Sequence, residues 1–314
     1  MRISVVVPVY NEEGNLSELH RRLLMTLATT GAETELIYVN DGSRDGSMAL
    51  IRQMADSDSH VRYIDLSRNF GHQVAVTAGL RAATGNRVVI IDSDLQDPPE
   101  LICELNRSMD ADGLDVVYAR RRERAGESMF KRLTAKLFYR LLQRLTPIDI
   151  PVDTGDFRIM SRRVVDVLNR MPEQHRFIRG QVAWAGFAQG FVEYDRQGRN
   201  AGESGYPLSK MLRFAMDGIT SFSDFPLRLA TMMGFTVSGI SFLLVLYALY
   251  SRLVLKVYEP GWASIMLSVL FIGGIQLICV GIIGEYIGRI SDNVKGRPLY
   301  VVRETNITPS EAVQ

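Results

Sequence analysis

Two carboxylates separated by a single residue stand at the end of an apolar run, where Asp92 and Asp94 follow Arg87–Ile91. Side chains alternate along a strand, so residues two apart point the same way and both carboxylates reach one spot. Oxygen ligands with no His or Cys beside them suit Mg²⁺ or Mn²⁺, ions that commonly bridge a protein to a diphosphate. An acidic turn that only caps the next helix is the alternative interpretation of so short a motif.

The elements that must position these carboxylates alternate along the first part of the chain. Short apolar runs are separated by stretches with helical spacing of their apolar residues, which predicts βαβ units and an α/β fold with a mainly parallel sheet. The predicted strands are Ile3–Val9, Glu35–Val39, Val61–Leu66, Arg87–Ile91 and Asp115–Ala119, and the predicted helices are Glu13–Ala28, Ser47–Ala55, Gln73–Ala83 and Pro99–Met109.

Polar segments follow four of these strands, at Pro8–Glu13, Asn40–Asp45, Ser67–His72 and Asp92–Asp97. Each segment alone is compatible with ordinary cap and turn chemistry. In an open α/β sheet, however, ligands bind at the carboxyl ends of the strands, and these four segments share that edge. The chain contains neither a Gly-x-Gly-x-x-Gly nor a P-loop motif, which argues against a dinucleotide-binding dehydrogenase and a P-loop NTPase.

The last third of the chain carries two uncharged apolar stretches, Leu229–Tyr250 and Trp262–Gly284. Each has the roughly 20 apolar residues that cross about 30 Å of hydrocarbon, and two in close succession favour a membrane hairpin over buried core helices. Basic residues are more numerous at the outer ends of the pair than in the connecting loop, which predicts that both termini lie in the cytoplasm. The outer basic residues are Lys210, Arg213, Arg228, Arg289, Lys295, Arg297 and Arg303, and those of the loop are Arg252 and Lys256. Ile3–Val9 is too short for a signal peptide, and Cys103 and Cys279 cannot form a disulfide framework.

With these motifs in view, the chain resembles the family 2 glycosyltransferases of the GT-A fold. More narrowly it is similar to the polyprenyl-phosphate glycosyltransferases, namely the GtrB-like bactoprenol glucosyltransferases and the dolichol-phosphate mannose synthases. The resemblance covers nearly the whole chain. It rests on the segments Pro8–Glu12, Asn40–Ser43, Arg68–Gly71, Asp92–Glu100, Thr154–Phe157 and Ala201–Ser204, together with the paired apolar stretches.

The resemblance implies a cytoplasmic GT-A domain over residues 1–205, amphipathic interfacial helices over 206–228, two transmembrane helices over 229–290, and a C-terminal strand and tail over 291–314. Pro298–Val302 is the candidate strand, and left unpaired it would invite pairing with another chain. Gly284 and Gly288 have the small-xxx-small spacing that permits close helix contact, so a homo-oligomer, with a tetramer among the expected states, is predicted. No nucleic-acid partner is expected.

The same resemblance implies roles for individual residues. Asp94, Asp92 and Gln96 would hold Mg²⁺ or Mn²⁺ on the diphosphate of a nucleotide sugar, Asp156 would lie near the anomeric carbon, and Arg199 would close over the phosphates. Relatives often carry Lys after Glu203-Ser204, where this chain has Gly205, so a phosphate contact from that position is in question. The residues expected around the donor are Pro8, Tyr10, Asn11, Glu12, Asp41, Ser43, Asn69, Asp92 and Gln96.

The acceptor implied by the resemblance is a polyprenyl phosphate, whose phosphate needs cations of its own. A basic run follows the fifth predicted strand, and Met129–Leu145 repeats basic residues at helical spacing opposite apolar ones, a pattern typical of membrane-surface binding or of an ordinary solvated helix. The expected phosphate ligands are Arg120, Arg122, Lys131 and Arg132. A phosphate monoester is already anionic near neutral pH and needs no strong general base, so Asp156 either accepts a residual proton or only positions the sugar. Single displacement with inversion is the simplest course.

Several alternatives stay open at this stage. UDP-glucose is the expected donor through the similarity to bactoprenol glucosyltransferases, with UDP-linked aminoarabinose, UDP-N-acetylglucosamine and GDP-mannose as alternatives. A polysaccharide synthase shares the donor chemistry but usually carries a Gln-x-x-Arg-Trp motif, whereas Gln181–Trp184 lacks the Arg. A non-catalytic membrane scaffold is disfavoured by the carboxylates retained at the strand ends.

Overall fold

The computed structural model describes residues 1–122, 154–194, 223, 225–255 and 261–308. Its strands are β1 (Arg2–Val9), β2 (Glu33–Asn40), β3 (Val61–Leu66), β4 (Arg87–Ile90), β5 (Val116–Arg121), β6 (Thr154–Ser161), β7 (Gln189–Tyr194) and β8 (Val302–Thr305). Its helices are α1 (Glu13–Ala28), α2 (Ser47–Ser57), α3 (His72–Ala82), α4 (Leu101–Ala111), α5 (Arg162–Arg170), α6 (Ile178–Ala185), α7 (Phe225–Tyr250) and α8 (Trp262–Val294). The predicted strands and helices of the first 121 residues are confirmed, with ends that shift by at most two residues.

The strands form one mixed sheet in the order β7-β5-β6-β4-β1-β2-β3-β8. Strands β4, β1, β2 and β3 run parallel, as the βαβ pattern predicts, because each is followed by a helix that returns the chain across the sheet. The chain moves from β1 to β2 on one side and then to β4 on the other, so a crevice opens at the ends of β1 and β4. The α/β fold with a mainly parallel sheet that the sequence predicts is thereby confirmed.

The two faces of the sheet are covered by different helices. Val5 and Val7 of β1 pack with Leu16 and Leu19 of α1, whereas Val6 packs on the opposite face with α3. Burying a side chain of this size contributes about 1.5–3 kcal/mol, which is why both faces of the parallel strands are apolar. The packing on α3 is close, since a Cβ at Gly79 would lie 2.2 Å from Cγ1 of Val6. The strand ends are therefore fixed by a tightly packed core.

Strand β6 lies in the sheet between β4 and β5 and runs antiparallel to both. Ile90 of β4 pairs with Arg158 of β6. Continuing this register two residues further in each strand brings Asp156 opposite Asp92. The sequence pattern did not predict β6, yet this strand carries Asp156 to the crevice.

The two C-terminal helices, α7 and α8, are long and apolar enough to cross a membrane by length and composition. They pack on each other, and outward-facing side chains such as Phe235 and Leu277 are 77% and 75% exposed. Tyr286 near the end of α8 donates a hydrogen bond to the carbonyl of Ser223, at 2.6 Å, just before α7 begins. An apolar surface of this extent is typical of a membrane-associated protein.

The C-terminal strand differs from the prediction in position and in partner. It spans Val302–Thr305 instead of Pro298–Val302, and it pairs antiparallel with β3 of the same chain. Pro298 has no amide hydrogen to donate to a sheet, and Tyr300 instead lies beneath the guanidinium of Arg81, 5.8 Å away. The strand edge that was expected to attract another chain is therefore occupied by β3. The predicted amphipathic segment at 129–145 and residues 206–222 of the one at 206–228 lie outside the described residues, whereas residues 225–228 already belong to α7.

Candidate active site

A cavity of about 420 Å³ opens at the carboxyl ends of β1, β2 and β4. Eight of the residues singled out from the sequence line it, namely Pro8, Tyr10, Glu12, Asp41, Asn69, Asp92, Asp94 and Asp156. Val9, Gly71, His72, Ala75 and Ser93 complete the lining. The shared edge inferred from the strand pattern therefore brings these side chains around one space.

The loop after β1 is fastened to the loop after β2. The backbone amide of Asn11 donates to Oγ of Ser43 at 3.0 Å, and the amide of Arg44 donates to Oδ1 of Asn11 at 2.8 Å. Asn11 adopts a left-handed conformation, with φ of 55°, which Asn tolerates better than most residues. Asn11 and Ser43 are not among the described residues that line the cavity. They instead fix the loop that carries Tyr10 and Glu12 to it.

Asp41 organises the segment after β3. Its Oδ1 accepts the amide of Phe70 at 2.7 Å, and its Oδ2 accepts the amide of Gly71 at 2.9 Å. Burial raises the pKa of Asp41, although these two hydrogen bonds oppose that rise. The next residue must be glycine, because Gly42 has φ of 70° and a Cβ there would lie 2.5 Å from the carbonyl carbon of Arg68. Each carboxylate oxygen of Asp41 still has a lone pair for a ligand hydroxyl.

The Asp92-Ser93-Asp94 turn is fixed through its middle residue and its exit. Ser93 is buried and donates its hydroxyl to the carbonyl of Pro8 at 2.9 Å, which leaves the flanking carboxylates on the cavity side. The backbone amide of Gln96 donates to Oδ1 of Asp94 at 3.1 Å. Leu95 is buried and has φ of 59°, an uncommon conformation for a residue other than glycine, and the chain turns at this position.

These carboxylates meet the requirements of a divalent cation that also binds a diphosphate. Oδ1 of Asp92 is buried and has no hydrogen-bond partner among the described residues. Burial raises the pKa of Asp92 to about 6, nearby Asp156, Asp97 and Asp94 add to the rise, and His72 opposes it. The described residues hold no group of three or more acidic, His or Cys side chains arranged as a closed metal site. Mg²⁺ often takes only one or two carboxylates and completes its shell with substrate phosphates, which Asp92 and Asp94 would permit.

Gln96 was expected to hold the metal together with Asp94 and Asp92. Its side chain is buried and is left out of the cavity lining formed by the described residues. Its observed contribution is the backbone hydrogen bond that orients Asp94.

Asp156 lies at the centre of a charged cluster that the sequence did not identify. Its Oδ2 accepts from Nε2 of His72 at 3.0 Å and from Nε2 of Gln73 at 3.3 Å, and its Oδ1 accepts from Arg158 at 2.7 Å and from Arg179 at 3.3 Å. Burial alone would raise the pKa of Asp156, but the hydrogen bond from His72 and the charges of Arg179, Arg158 and His72 hold that pKa well below its usual range. Both carboxylate oxygens are therefore engaged by donors.

His72 links this cluster to the carboxylates of the Asp92-Ser93-Asp94 turn. Its Nε2 lies 3.7 Å from Oδ1 of Asp92 as well as 3.0 Å from Asp156. Desolvation disfavours the imidazolium, yet the hydrogen bond to Asp156 and the charges of Asp92 and Asp156 raise the pKa of His72 to about 9. His72 is thus a cation on the cavity wall at neutral pH.

Arg158 is fully buried beneath this cluster, and its guanidinium lies 5.1 Å from the ring centre of Tyr118. It shares one face of β6 with Asp156, because the two residues are two apart in a strand. That spacing was the one available sequence signal for Arg158. His72 immediately follows the Arg68–Gly71 motif, whereas Gln73 and Arg179 come together with Asp156 only through the tertiary fold.

Two of the four predicted acceptor cations, Arg120 and Arg122, lie in the described part of the chain. Arg120 and Arg122 lie at the end of β5, where both pair with Glu193 of β7, and the guanidinium of Arg120 stacks 3.3 Å from the ring centre of Phe191. Neither lines the cavity formed by the described residues. Lys131, Arg132 and Arg199 lie outside the described residues.

The chain is similar to known glycosyltransferases over nearly its whole length, and the GT-A fold expected from the sequence is confirmed. The glycosyl transferase family 2 model matches residues 4–168, and the GtrB C-terminal hairpin model matches residues 225–290. The chain is 50% identical to the uncharacterized glycosyltransferase YkcC of Bacillus subtilis, over 97% of this chain and 94% of that protein. It is 41% identical to the SfII prophage-derived bactoprenol glucosyl transferase of Shigella flexneri, over 98% of this chain and 99% of that protein. A crystal structure of glucosyl-3-phosphoglycerate synthase from Mycobacterium tuberculosis, with Mn²⁺, uridine diphosphate and phosphoglyceric acid, is 22% identical, with a TM-score of 0.47 over 70% of this chain and 76% of that one.

Proposed function

Because the chain belongs to glycosyl transferase family 2, we propose that it transfers glucose from UDP-glucose to undecaprenyl phosphate or a related polyprenyl phosphate. The chain is a glycosyltransferase. The observation that carries the narrower proposal is the convergence of Asp92, Asp94 and Asp156 on one cavity at the sheet edge. The bactoprenol glucosyl transferase relatives, which match this chain over nearly its full length, support the choice of acceptor and sugar.

The nucleoside end of the donor would occupy the side of the cavity formed after β1, β2 and β3. Tyr10 is 44% exposed and offers a ring face on which a base can stack. Asp41 and Glu12 offer carboxylate oxygens to ribose hydroxyl or base N–H groups, and Asn69 offers an amide. These groups lie beside the acidic turn, as a nucleoside must lie beside its diphosphate.

The diphosphate would lie at the acidic turn with a divalent cation. Asp92 and Asp94 would hold Mg²⁺ or Mn²⁺, and Gln96 would act through the orientation of Asp94. When bound, such a cation would stabilise the negative charge that develops on the leaving nucleoside diphosphate. His72 adds a positive charge on the same wall, and Arg199 is the further cation that we propose from the sequence motif. Arg199 would replace water around the departing phosphates.

Asp156 would position the sugar and the surrounding cations instead of acting as a general base. A carboxylate with both oxygens occupied and a lowered pKa is a weak proton acceptor. The acceptor does not need one, because a phosphate monoester is largely deprotonated at neutral pH. The same occupancy makes Asp156 a poor covalent nucleophile. The phosphate oxygen would therefore attack the anomeric carbon directly, with inversion.

The membrane would supply the acceptor. We propose that α7 and α8 anchor the chain in a bacterial inner membrane with residues 1–228 and the C-terminal segment on the cytoplasmic side, where nucleotide sugars are made. Arg120, Arg122, Lys131 and Arg132 would receive the lipid phosphate. In this account Glu193 holds Arg120 and Arg122 in place until the phosphate competes for them. Assembly into a homo-oligomer through the glycine-rich face of α8 is part of the proposal.

The test is direct sugar transfer. The purified full-length chain is incubated with undecaprenyl phosphate and, in separate reactions, radiolabelled UDP-glucose, UDP-N-acetylglucosamine, UDP-linked aminoarabinose and GDP-mannose. We expect label to enter the organic phase from UDP-glucose, and only when the lipid phosphate is present. Transfer from another donor would replace the sugar in this proposal, and absence of transfer from every donor would overturn it.

A further inference from the structure

The segment that follows α8 returns to the catalytic domain and is tied to it at several points. At the end of α8, Oδ1 of Asn293 accepts the amide of Gln174 at 2.9 Å, and the carbonyl of Arg297 accepts Nε2 of Gln174 at 2.8 Å. Eight residues after α8 ends at Val294, β8 begins and extends the sheet beside β3. The apolar helix pair and the edge of the sheet are thus joined by a short, hydrogen-bonded connection.

One side chain of β8 reaches the segment that lines the cavity. Nη2 of Arg303 donates to the carbonyl of Ser67 at 2.6 Å, and Nη1 donates to Oδ2 of Asp65 at 3.3 Å. The carbonyl of Val301 accepts the amide of Ser67 at 2.9 Å, so Ser67 is held through both its backbone groups. Asp65 is 1% exposed and also accepts Nδ2 of Asn40 at 2.7 Å, which extends the network to the end of β2.

Ser67–Gly71 is therefore gripped from two sides. On the cavity side, Asp41 accepts the amides of Phe70 and Gly71, and the backbone of Gly42 approaches that of Arg68 too closely for any side chain. On the outer side, Arg303 and Val301 hold Ser67. Asn69, Gly71 and His72 of the cavity wall follow directly, so their positions depend on both sets of contacts.

We propose that Arg303 is a positioning residue for the donor site, and that through Ser67–Gly71 it makes nucleotide-sugar binding depend on the segment that leaves the second apolar helix. Arg303 touches neither substrate nor cation in this account. The proposal rests on the proposed function only in taking a nucleotide sugar as the ligand of the cavity. The physical route runs by hydrogen bonds from Arg303 to Asp65 and Ser67, then along the backbone from Ser67 to Phe70, whose amide donates to Asp41.

The same strand supplies a matched control. Arg52 of α2 forms a bidentate pair with Glu304, at 2.5 Å and 3.2 Å, and Tyr63 donates to the same carboxylate at 2.7 Å. The two arginines are similarly exposed, Arg52 at 47% and Arg303 at 57%. Arg52 pairs with Glu304 of β8, and Arg303 of β8 pairs with Asp65 of β3. Among the described residues, the contacts of Arg52 do not reach Ser67–Gly71. Each variant therefore removes an arginine that ties β8 to the rest of the chain, but of the two only Arg303→Ala removes a contact with Ser67.

The experiment compares Arg303→Ala, Arg303→Lys and Arg52→Ala in the purified full-length chain. Amide hydrogen exchange is measured on peptides that cover Ser67–Gly71, with β1 as an internal reference for global unfolding. We expect Arg303→Ala to accelerate exchange at Phe70 and Gly71 by about three- to tenfold, which lies within the range of effects that residues outside a binding site have on coupling. Arg303→Lys should recover part of the protection, and Arg52→Ala should leave exchange there unchanged.

Steady-state kinetics then separates positioning from simple stability. Arg303→Ala should raise KM for the nucleotide sugar by about the same three- to tenfold while KM for the polyprenyl phosphate stays within about twofold. Equal exchange at Phe70 and Gly71 in the wild type and Arg303→Ala would overturn the proposal, as would equal effects of Arg303→Ala and Arg52→Ala. The exchange readout needs no substrate, so it tests Arg303 even if the wild-type chain transfers no sugar, an outcome that would refute the proposed function alone.

Discussion

Replacing Asp156 by Asn tests whether this carboxylate anchors the cations of the site. The substitution preserves the side-chain shape but removes the charge that Arg158, Arg179 and His72 share. Arg158 is fully buried, and leaving one partner of a buried ion pair without its counter-charge costs about 3–5 kcal/mol. Because the Asp156 side chain is itself 16% exposed, we expect Asp156→Asn to lower the free energy of unfolding by the lower end of that range, about 3 kcal/mol.

The effect on transfer follows from the same loss. We expect the misplaced cations to raise the activation free energy of transfer by a similar amount, about 3 kcal/mol, which lowers kcat roughly a hundredfold. The assay measures kcat with UDP-glucose and undecaprenyl phosphate and thermal unfolding of the same preparation. Asp110→Asn is the matched control, because Asp110 also pairs with an arginine, Arg87, but is 62% exposed, and exposed pairs contribute about 0–1 kcal/mol. A kcat for Asp156→Asn within threefold of wild type, in a chain that unfolds like Asp110→Asn, would refute the reasoning.

Four further results are expected. Excess EDTA should abolish transfer and Mg²⁺ or Mn²⁺ should restore it, and full activity in the chelator would remove the cation from the account. Arg122→Ala should raise KM for the polyprenyl phosphate more than KM for the nucleotide sugar, whereas an equal rise would assign Arg122 to the donor. Glu35→Gln should lower the free energy of unfolding by about 3 kcal/mol at pH 7, because buried Glu35 accepts from Ser4 and Arg62. These bonds outweigh burial and lower the pKa of Glu35, so its stabilisation is present above the unfolded pKa of about 4.3. The difference in free energy of unfolding between the wild type and Glu35→Gln should therefore narrow as the pH falls below about 4. A difference independent of pH would contradict the stabilising role of the Glu35 carboxylate. In a chain lacking its native cysteines, Ser251→Cys should react with an impermeant maleimide outside intact cells and Ser108→Cys only after lysis, and the reverse would overturn the orientation.

The residues that the sequence located correctly are those whose position follows from local pattern. Asp92 and Asp94 come directly after a buried strand, and the alternation of strands and helices is enough to bring their edge beside Tyr10 and Asp41. The parallel pairing of β1, β2 and β4 follows from the repeated βαβ pattern alone, and the spacing of the apolar residues predicts that pattern. This part of the site could be predicted because one rule, strand ends on a common edge, determines it.

The surroundings of some site residues could not be predicted, because they depend on contacts between distant segments of the chain. Asp156 was singled out, but its bonds to His72, Gln73 and Arg179 exist only because β6 enters the sheet antiparallel beside β4. Gln96 was expected to hold the metal with Asp94 and Asp92, and in the structure its side chain is buried while its backbone amide donates to Asp94. Spacing along the chain does not reveal which of the two groups faces the cavity.

The most direct measurement follows the fate of radiolabelled glucose in matched reactions of the purified wild-type chain and Asp94→Asn. Each is incubated with UDP-glucose, undecaprenyl phosphate and Mg²⁺, and then extracted with organic solvent. The account predicts lipid-phase label from the wild type and its loss from Asp94→Asn, which keeps the volume of the side chain but not its charge. Asp110→Asn should label the lipid as the wild type does. Equal lipid labelling by the wild type and Asp94→Asn would contradict the claim that the carboxylates at the sheet edge carry out glycosyl transfer.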